Sequence, residues 1–122
     1  MSYPRPTVST PRRLELQTDG PRVAAIAERY LGLKLWEWQR HVLDVALERE
    51  QRPDGSLVPR YKRVIVSVPR QSGKTELLGA LLFTRLLMGQ WSWYTAQTRS
   101  EAFDTFVMRW AQPWAASPFG VA

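Results

Sequence analysis

The sequence predicts an α/β fold, with helices packed on a partial parallel sheet, and three observations predict it. Apolar residues change period along the chain, from helical spacing to a continuous β-branched run and back to helical spacing. The run at residues 63–68, RVIVSV, passes through a glycine-containing turn straight into a Leu- and Ala-rich segment, the order strand, loop, helix. A second strand-like run, residues 91–96, follows that helix, so strands and helices alternate.

Composition supports a folded chain. At 122 residues there is room for one small domain, and 44% hydrophobic with 23% charged residues is globular composition, unlike that of a disordered chain. Seventeen Lys and Arg against eleven Asp and Glu leave a net charge of +6, which favours polyanionic partners. The basic residues are mostly Arg and are spread along the chain, so charge supports such a partner without identifying it. The absence of cysteine excludes disulfides, thiol catalysis and thiolate zinc sites, and any metal must be held through oxygen. The longest apolar stretch, residues 77–88, is broken by Thr84 and Arg85 and is too short for a bilayer of about 30 Å. With no apolar leader at the N-terminus, secretion is not expected.

In chain order, residues 1–19 carry Pro4, Pro6, Pro11 and several Arg without a periodic apolar face, which predicts a flexible basic arm or extended strap. Asp19 or Gly20 caps a first helix with Pro21 in its first turn, and Val23, Ile26, Ala27, Tyr30 and Leu31 form its core stripe. A second helix is predicted over about 36–50, with Trp38, Val42, Val45 and Ala46 on one face. Residues 51–56 are a turn signal, and 57–60 read as a short strand that Pro59 confines to an edge. Residues 63–68 have the apolar continuity of a strand buried on both faces. Lys74 opens a third helix that runs to Met88, where Gly89 caps it. After the strand at 91–96, Thr98 and Glu101 form a capping box for a last helix with the stripe Phe103, Phe106, Val107 and Trp110, ended by Pro113. Residues 115–122 read as an unstructured end. Two or three strands leave long edges, so residues 20–114 are expected to be the opening part of a larger domain.

The chemistry concentrates at residues 68–75, VPRQSGKT. A Gly-Lys-Thr tripeptide is weak alone, but here it lies between a strand-like run and a helix, the setting a phosphate-binding loop requires. Backbone amides of Gln71, Ser72, Gly73, Lys74 and Thr75 would converge at the helix N-terminus, where the dipole favours anions. Lys74 would reach the β and γ phosphates, and the Thr75 hydroxyl would ligate Mg2+. The usual first glycine of such loops is replaced by Val68, so the loop is a variant, and Arg70 lies inside it. Together these features predict a nucleoside triphosphate site.

Val-Pro-Arg-Gln-Ser-Gly-Lys-Thr resembles the loop of the tailed-bacteriophage terminase large subunit, the ATPase that drives DNA into the procapsid. The resemblance extends over about residues 20–104. It includes the opening helix, a Leu-x-x-x-Gln segment from Leu35 to Gln39, the Asp54-Gly55 hairpin, and an Ala96 to Ala102 segment before the last helix. It implies an incomplete P-loop NTPase domain of the ASCE type. It further implies that Gln39 reads adenine, that Arg70 senses the γ-phosphate or stabilises transition-state charge, and that ATP and Mg2+ are the cofactors. As partners it implies double-stranded DNA, the portal, the small terminase subunit and a homo-oligomeric ring, in the cytoplasm of a bacterial host.

Hydrolysis in that family needs a Walker B strand ending in Asp and Glu, and the acids after Thr75 are Glu76, Glu101 and Asp104, none after an apolar strand. The acidic cluster of the nuclease half is missing too, so this stretch alone is expected to bind nucleotide without hydrolysing it. Another P-loop motor such as a helicase, or a non-catalytic nucleic-acid-binding module, fits the same loop or the same charge. His41 has no partner marked by spacing and reads as structural. Trp36, Trp38, Trp93 and Trp110 fall on apolar stripes and are expected in the core, while Trp91 and Trp114 have no assigned side.

Overall fold

The computed structural model describes residue 6, residues 8–69 and residues 73–116. Three helices form its centre: α1 (Gly20–Leu31), α2 (Glu37–Ala46) and α3 (Lys74–Leu87). Val23 and Ala27 from α1, Leu43 from α2, Leu77 and Ala80 from α3, and Leu35 from the α1–α2 connection bury one another. The spacing of Val23 and Ala27, and of Leu77 and Ala80, places each pair on one helix face, as the periodicity predicts.

Both ends of α1 have a local cause. Pro21 occupies its first turn, and Gly32 adopts a left-handed φ of 64°, which sends the Leu33 amide back to the Ala27 carbonyl at 3.0 Å. Helix α2 ends at Ala46, four residues earlier than the pattern suggests, because residues 49–51 join a hairpin instead. Strand β1 (Arg49–Gln51) pairs antiparallel with β2 (Leu57–Pro59), in the register Arg49 to Pro59, Glu50 to Val58 and Gln51 to Leu57. The connecting turn is stapled by Asp54, whose Oδ1 accepts the Ser56 amide at 2.9 Å and its hydroxyl at 2.6 Å. Those two bonds hold the Asp54 carboxyl below its ordinary pKa.

Of the segment expected to be a flexible arm or an extended strap, residues 12–19 are tied down. Thr18 forms an antiparallel bridge with Glu48, the Arg49 amide donates to the Gln17 carbonyl at 2.8 Å, and the Asp19 amide donates to Leu47 at 3.2 Å. These bonds extend the outer edge of β1, so the segment is a strap and not a mobile tail.

The strands expected at 63–68 and 91–96 are not formed. Among the described residues the one sheet is the β1–β2 hairpin, and both runs lie extended without a ladder. Ile65 is 94% exposed, Trp91 95% and Trp93 90%, which corrects the reading of residues 63–68 as buried on both faces and of Trp93 as core. Side-chain branching favours extended backbone, but a strand is completed only by a neighbour's amides and carbonyls, and among the described residues none lies alongside.

Helix α3 ends as predicted. Gly89 has φ 73°, its amide donates to Leu86 at 3.0 Å and the Gln90 amide to Arg85 at 2.9 Å, the paired bonds of a Schellman motif. The last helix starts with α4 (Arg99–Asp104), capped by the Thr98 hydroxyl accepting the Glu101 amide at 3.1 Å. It widens to π-helical turns over Thr105–Ala111 and returns to α-helix in α5 (Gln112–Ala116). The helix therefore runs past position 113, where Pro is expected to end it, and the wider turns just before it shift the hydrogen-bond register that a proline would break. It also covers 115 and 116 of the expected unstructured end, while 117–122 lie outside the described residues.

Of the last helix's expected stripe, Trp110 is buried, whereas Phe103 and Phe106 are exposed. Trp110 lies on Gly79 of α3, stacks on Trp114 with ring centroids 6.0 Å apart, and meets Tyr94 edge-on at 4.6 Å. The π-helical turns alter the angle between successive side chains, so a stripe counted at 3.6 residues per turn no longer faces one side.

Candidate phosphate-binding site

The extended run at 63–69 leads towards the N-terminus of α3, which begins at Lys74. Gly73 is its N-cap, with φ 93° and ψ 17°, a left-handed conformation that other residues adopt at a cost. The Leu77 amide closes the first helical bond on the Gly73 carbonyl at 3.2 Å. The amides of Lys74, Thr75 and Glu76, at the positive end of a 14-residue helix, have no partner among the described residues. Lys74 is exposed and Thr75 half-buried in that first turn. Arg70, Gln71 and Ser72, expected to complete the loop, lie outside the described residues.

Gln39 is brought to this point from α2. It is only 3% exposed; its Nε2 donates to the Gly73 carbonyl and its Oε1 accepts the Trp36 amide, both at 2.7 Å. The second bond caps the first turn of α2, since Gln39 is the third residue of that helix. Trp36, half-exposed rather than core, lies beside Gly73: a β-carbon there would be 2.7 Å from Gln39 Nε2 and 3.2 Å from the Trp36 ring. Glycine at position 73 is therefore required twice, by its φ and by the approach of these side chains.

The donor set suits a nucleoside triphosphate with its magnesium in its chemistry: the first-turn amides, a flexible ammonium at Lys74 and a hydroxyl at Thr75. For the acidic side of such a site the described residues offer little. They contain no group of three or more His, Asp or Glu able to hold a metal. Glu76 is engaged by the Arg109 guanidinium across the α3 surface, and Glu101 and Asp104 are exposed on α4.

One cluster was invisible to sequence reasoning. Glu48, just after α2, has no solvent exposure, and its carboxylate meets Arg12 Nη1 at 2.6 Å, the Arg13 amide at 2.7 Å and Arg60 Nη1 at 3.1 Å. Burial pushes the Glu48 carboxyl up, but the Arg13 amide, Arg12 and Arg60 outweigh it and hold the pKa below the ordinary value. With every oxygen engaged, this cluster fastens the strap and offers no free ligand. Elsewhere, Ser9 Oγ lies 2.8 Å from His41 Nε2 at the surface, with no carboxylate hydrogen-bonded to the imidazole among the described residues.

A cavity of about 300 Å³ lies between α2, α3 and the extended run, lined among others by Val42, Leu43, Leu47, Tyr61, Val66 and Leu77. Its walls are mainly apolar, with polar groups from the Asp19–Arg49 ion pair, Tyr61 and Arg85.

No protein-family model matches the chain, and neither a curated protein nor a solved structure matches it.

Proposed function

We propose that this chain binds a nucleoside triphosphate at the N-terminus of α3 and forms the nucleotide-binding front of a DNA-packaging motor of the terminase large-subunit type. The observation that carries the nucleotide reading is Gly73: a left-handed N-cap that opens a long helix, followed at once by Lys74 and Thr75, with the first-turn amides unpartnered among the described residues. Support for the motor type comes from the order of the sequence signals, with Gln39 upstream and Arg70 within the loop.

In this reading Lys74 supplies a point charge to the β and γ phosphates and the helix amides hold their oxygens. Magnesium would neutralise phosphate charge there, and Thr75 is the residue proposed to hold it. Arg70 contributes charge beside the γ-phosphate. ATP is the proposed nucleotide, double-stranded DNA the proposed cargo, and a ring of copies on the portal, with the small subunit, the proposed assembly in the host cytoplasm. No carboxylate within these residues is placed to polarise a water, so binding is proposed without turnover.

Isothermal titration of the 122-residue chain with Mg·ATP tests this. Saturable binding is expected, weakened at least tenfold by Lys74→Ala, with no phosphate released over hours. Equal heats for the wild type and Lys74→Ala overturn the site, and turnover that Lys74→Ala abolishes overturns the binding-only reading.

A second reading has its own observation. Trp91 and Trp93, both at least 90% exposed on an extended run, offer flat faces on which unpaired bases can stack. A nucleic-acid-binding module predicts salt-dependent DNA binding that ignores ATP, survives Lys74→Ala and falls in Trp91→Ala with Trp93→Ala.

A further inference from the structure

We infer that Arg109 is a positioning residue of the phosphate site: by holding the Glu76 carboxylate it keeps an internal anion off the helix end that receives phosphate. This rests on the triphosphate reading of the α3 N-terminus.

Glu76 is the third residue of α3, after Lys74 and Thr75. From that position a glutamate side chain can reach back to the backbone amide of its own N-cap, and its charge is attracted by the helix dipole. Both interactions draw on what a phosphate would use, the amides of the first turn and the positive end of a 14-residue helix. Glu76 is therefore a competitor built into the site, tethered three residues from Gly73. Among the described residues its carboxylate bonds to the Arg109 guanidinium and to no backbone amide, and no other cation pairs with it.

The partner is delivered by a fixed neighbour. Trp110, next to Arg109, is 3% exposed; it lies on Gly79 and packs against the rings of Trp114 and Tyr94. Gly79 stands three residues beyond Glu76, on the same side of α3, so Arg109 and Trp110 meet adjacent turns of one helix face. Both belong to the π-helical turns at Thr105–Ala111. A wider turn separates consecutive side chains by a smaller angle than an α-helical turn does, which lets the two residues face α3 together. Both members of the ion pair are partly exposed, 36% for Glu76 and 52% for Arg109, so the pair adds little to stability. Its consequence lies in binding, where the freed carboxylate would act at the ligand's own position.

Titrations use the whole chain with two probes, inorganic tripolyphosphate without metal and Mg·ATP. Arg109→Ala is expected to weaken both about fivefold, the size of one carboxylate's interaction with a helix terminus, with little change in melting temperature. Glu76→Ala is expected to bind at least as tightly as the wild type. The double variant decides: once Glu76 is gone, Arg109→Ala should cost nothing further, because there is no competitor to release. An arginine that touched phosphate itself, or acted only through folding, would cost the same in both backgrounds, and that result overturns the positioning role. Wild-type affinity in Arg109→Ala, or weaker binding in Glu76→Ala, overturns it as well. Should Arg109→Ala not fold, Arg109→Met, which keeps an aliphatic stem, takes its place in the cycle. Absence of binding by the wild type, or equal binding by Lys74→Ala, is a separate result that removes the phosphate site itself.

Discussion

Glu48 keeps a carboxylate wholly out of water and surrounds it with two guanidinium groups and a backbone amide, so its charge belongs to the folded state. Removing one partner from such a group leaves the others desolvated, and Glu48→Gln is expected to cost about 3 kcal/mol, read from urea unfolding. Its pKa is held below the ordinary 4.5, so the stabilisation it gives is complete above that value and is lost as pH falls through the lower, folded one. The wild type should therefore lose thermal stability between neutral pH and pH 3 more steeply than Glu48→Gln. Asp44, four residues earlier, has the opposite sign. Burial raises its carboxyl above 3.8 despite Arg12, His41 and Arg40, so the charged form opposes folding at neutral pH and the penalty is relieved as pH falls through the raised value. Asp44→Asn is expected to match or exceed the wild-type melting temperature at pH 7 and to fall behind it in acid.

Helix α3 is organised by glycines at its start, middle and end. At Gly79 a β-carbon would lie 2.5 Å from Trp110 Nε1, so Gly79→Ala sets a gain in helix propensity of about 1 kcal/mol against overpacking of about 1–3 kcal/mol. A net loss of stability with a change in tryptophan emission is expected, because Trp110 must leave its place between α3 and Trp114. Gly89→Ala meets open space but keeps a left-handed φ of 73°, and should cost about 1 kcal/mol without touching the aromatic contacts. Features of this kind were legible in the sequence because their causes are local: Gly89 after the last apolar turn, Thr98 three residues before Glu101, Asp54-Gly55 between two short strands. Gln39 was picked out as a site residue, but its hold on Gly73 was not visible, since that bond joins two segments far apart in sequence. Residues 63–68 and 91–96 misled because β-branched and aromatic side chains report a preference for extended backbone, not the presence of a neighbour to pair with. Glu48 gave no signal at all, for a glutamate after a helix reads as solvated and its partners lie 36 and 12 residues away.

Across the whole molecule the apolar surface is divided unequally. One side of α3 closes over α1 and α2, while Ile65, Trp91, Trp93, Phe103 and Phe106 remain in water. Exposed apolar groups on unpaired extended backbone promote association, so light scattering should rise with protein concentration, and Ile65→Lys should reduce it without lowering the melting temperature. The strap crosses this scale as well, since Arg12 and Arg60 meet on one carboxylate. A ribosome delivers Arg12 long before Arg60, and at about 5–20 residues per second the strap must wait several seconds for its anchorage to be synthesised. Residues 12–19 therefore stay unanchored while α1 and α2 are being made, and a protease present during synthesis should cut there before it cuts those two helices.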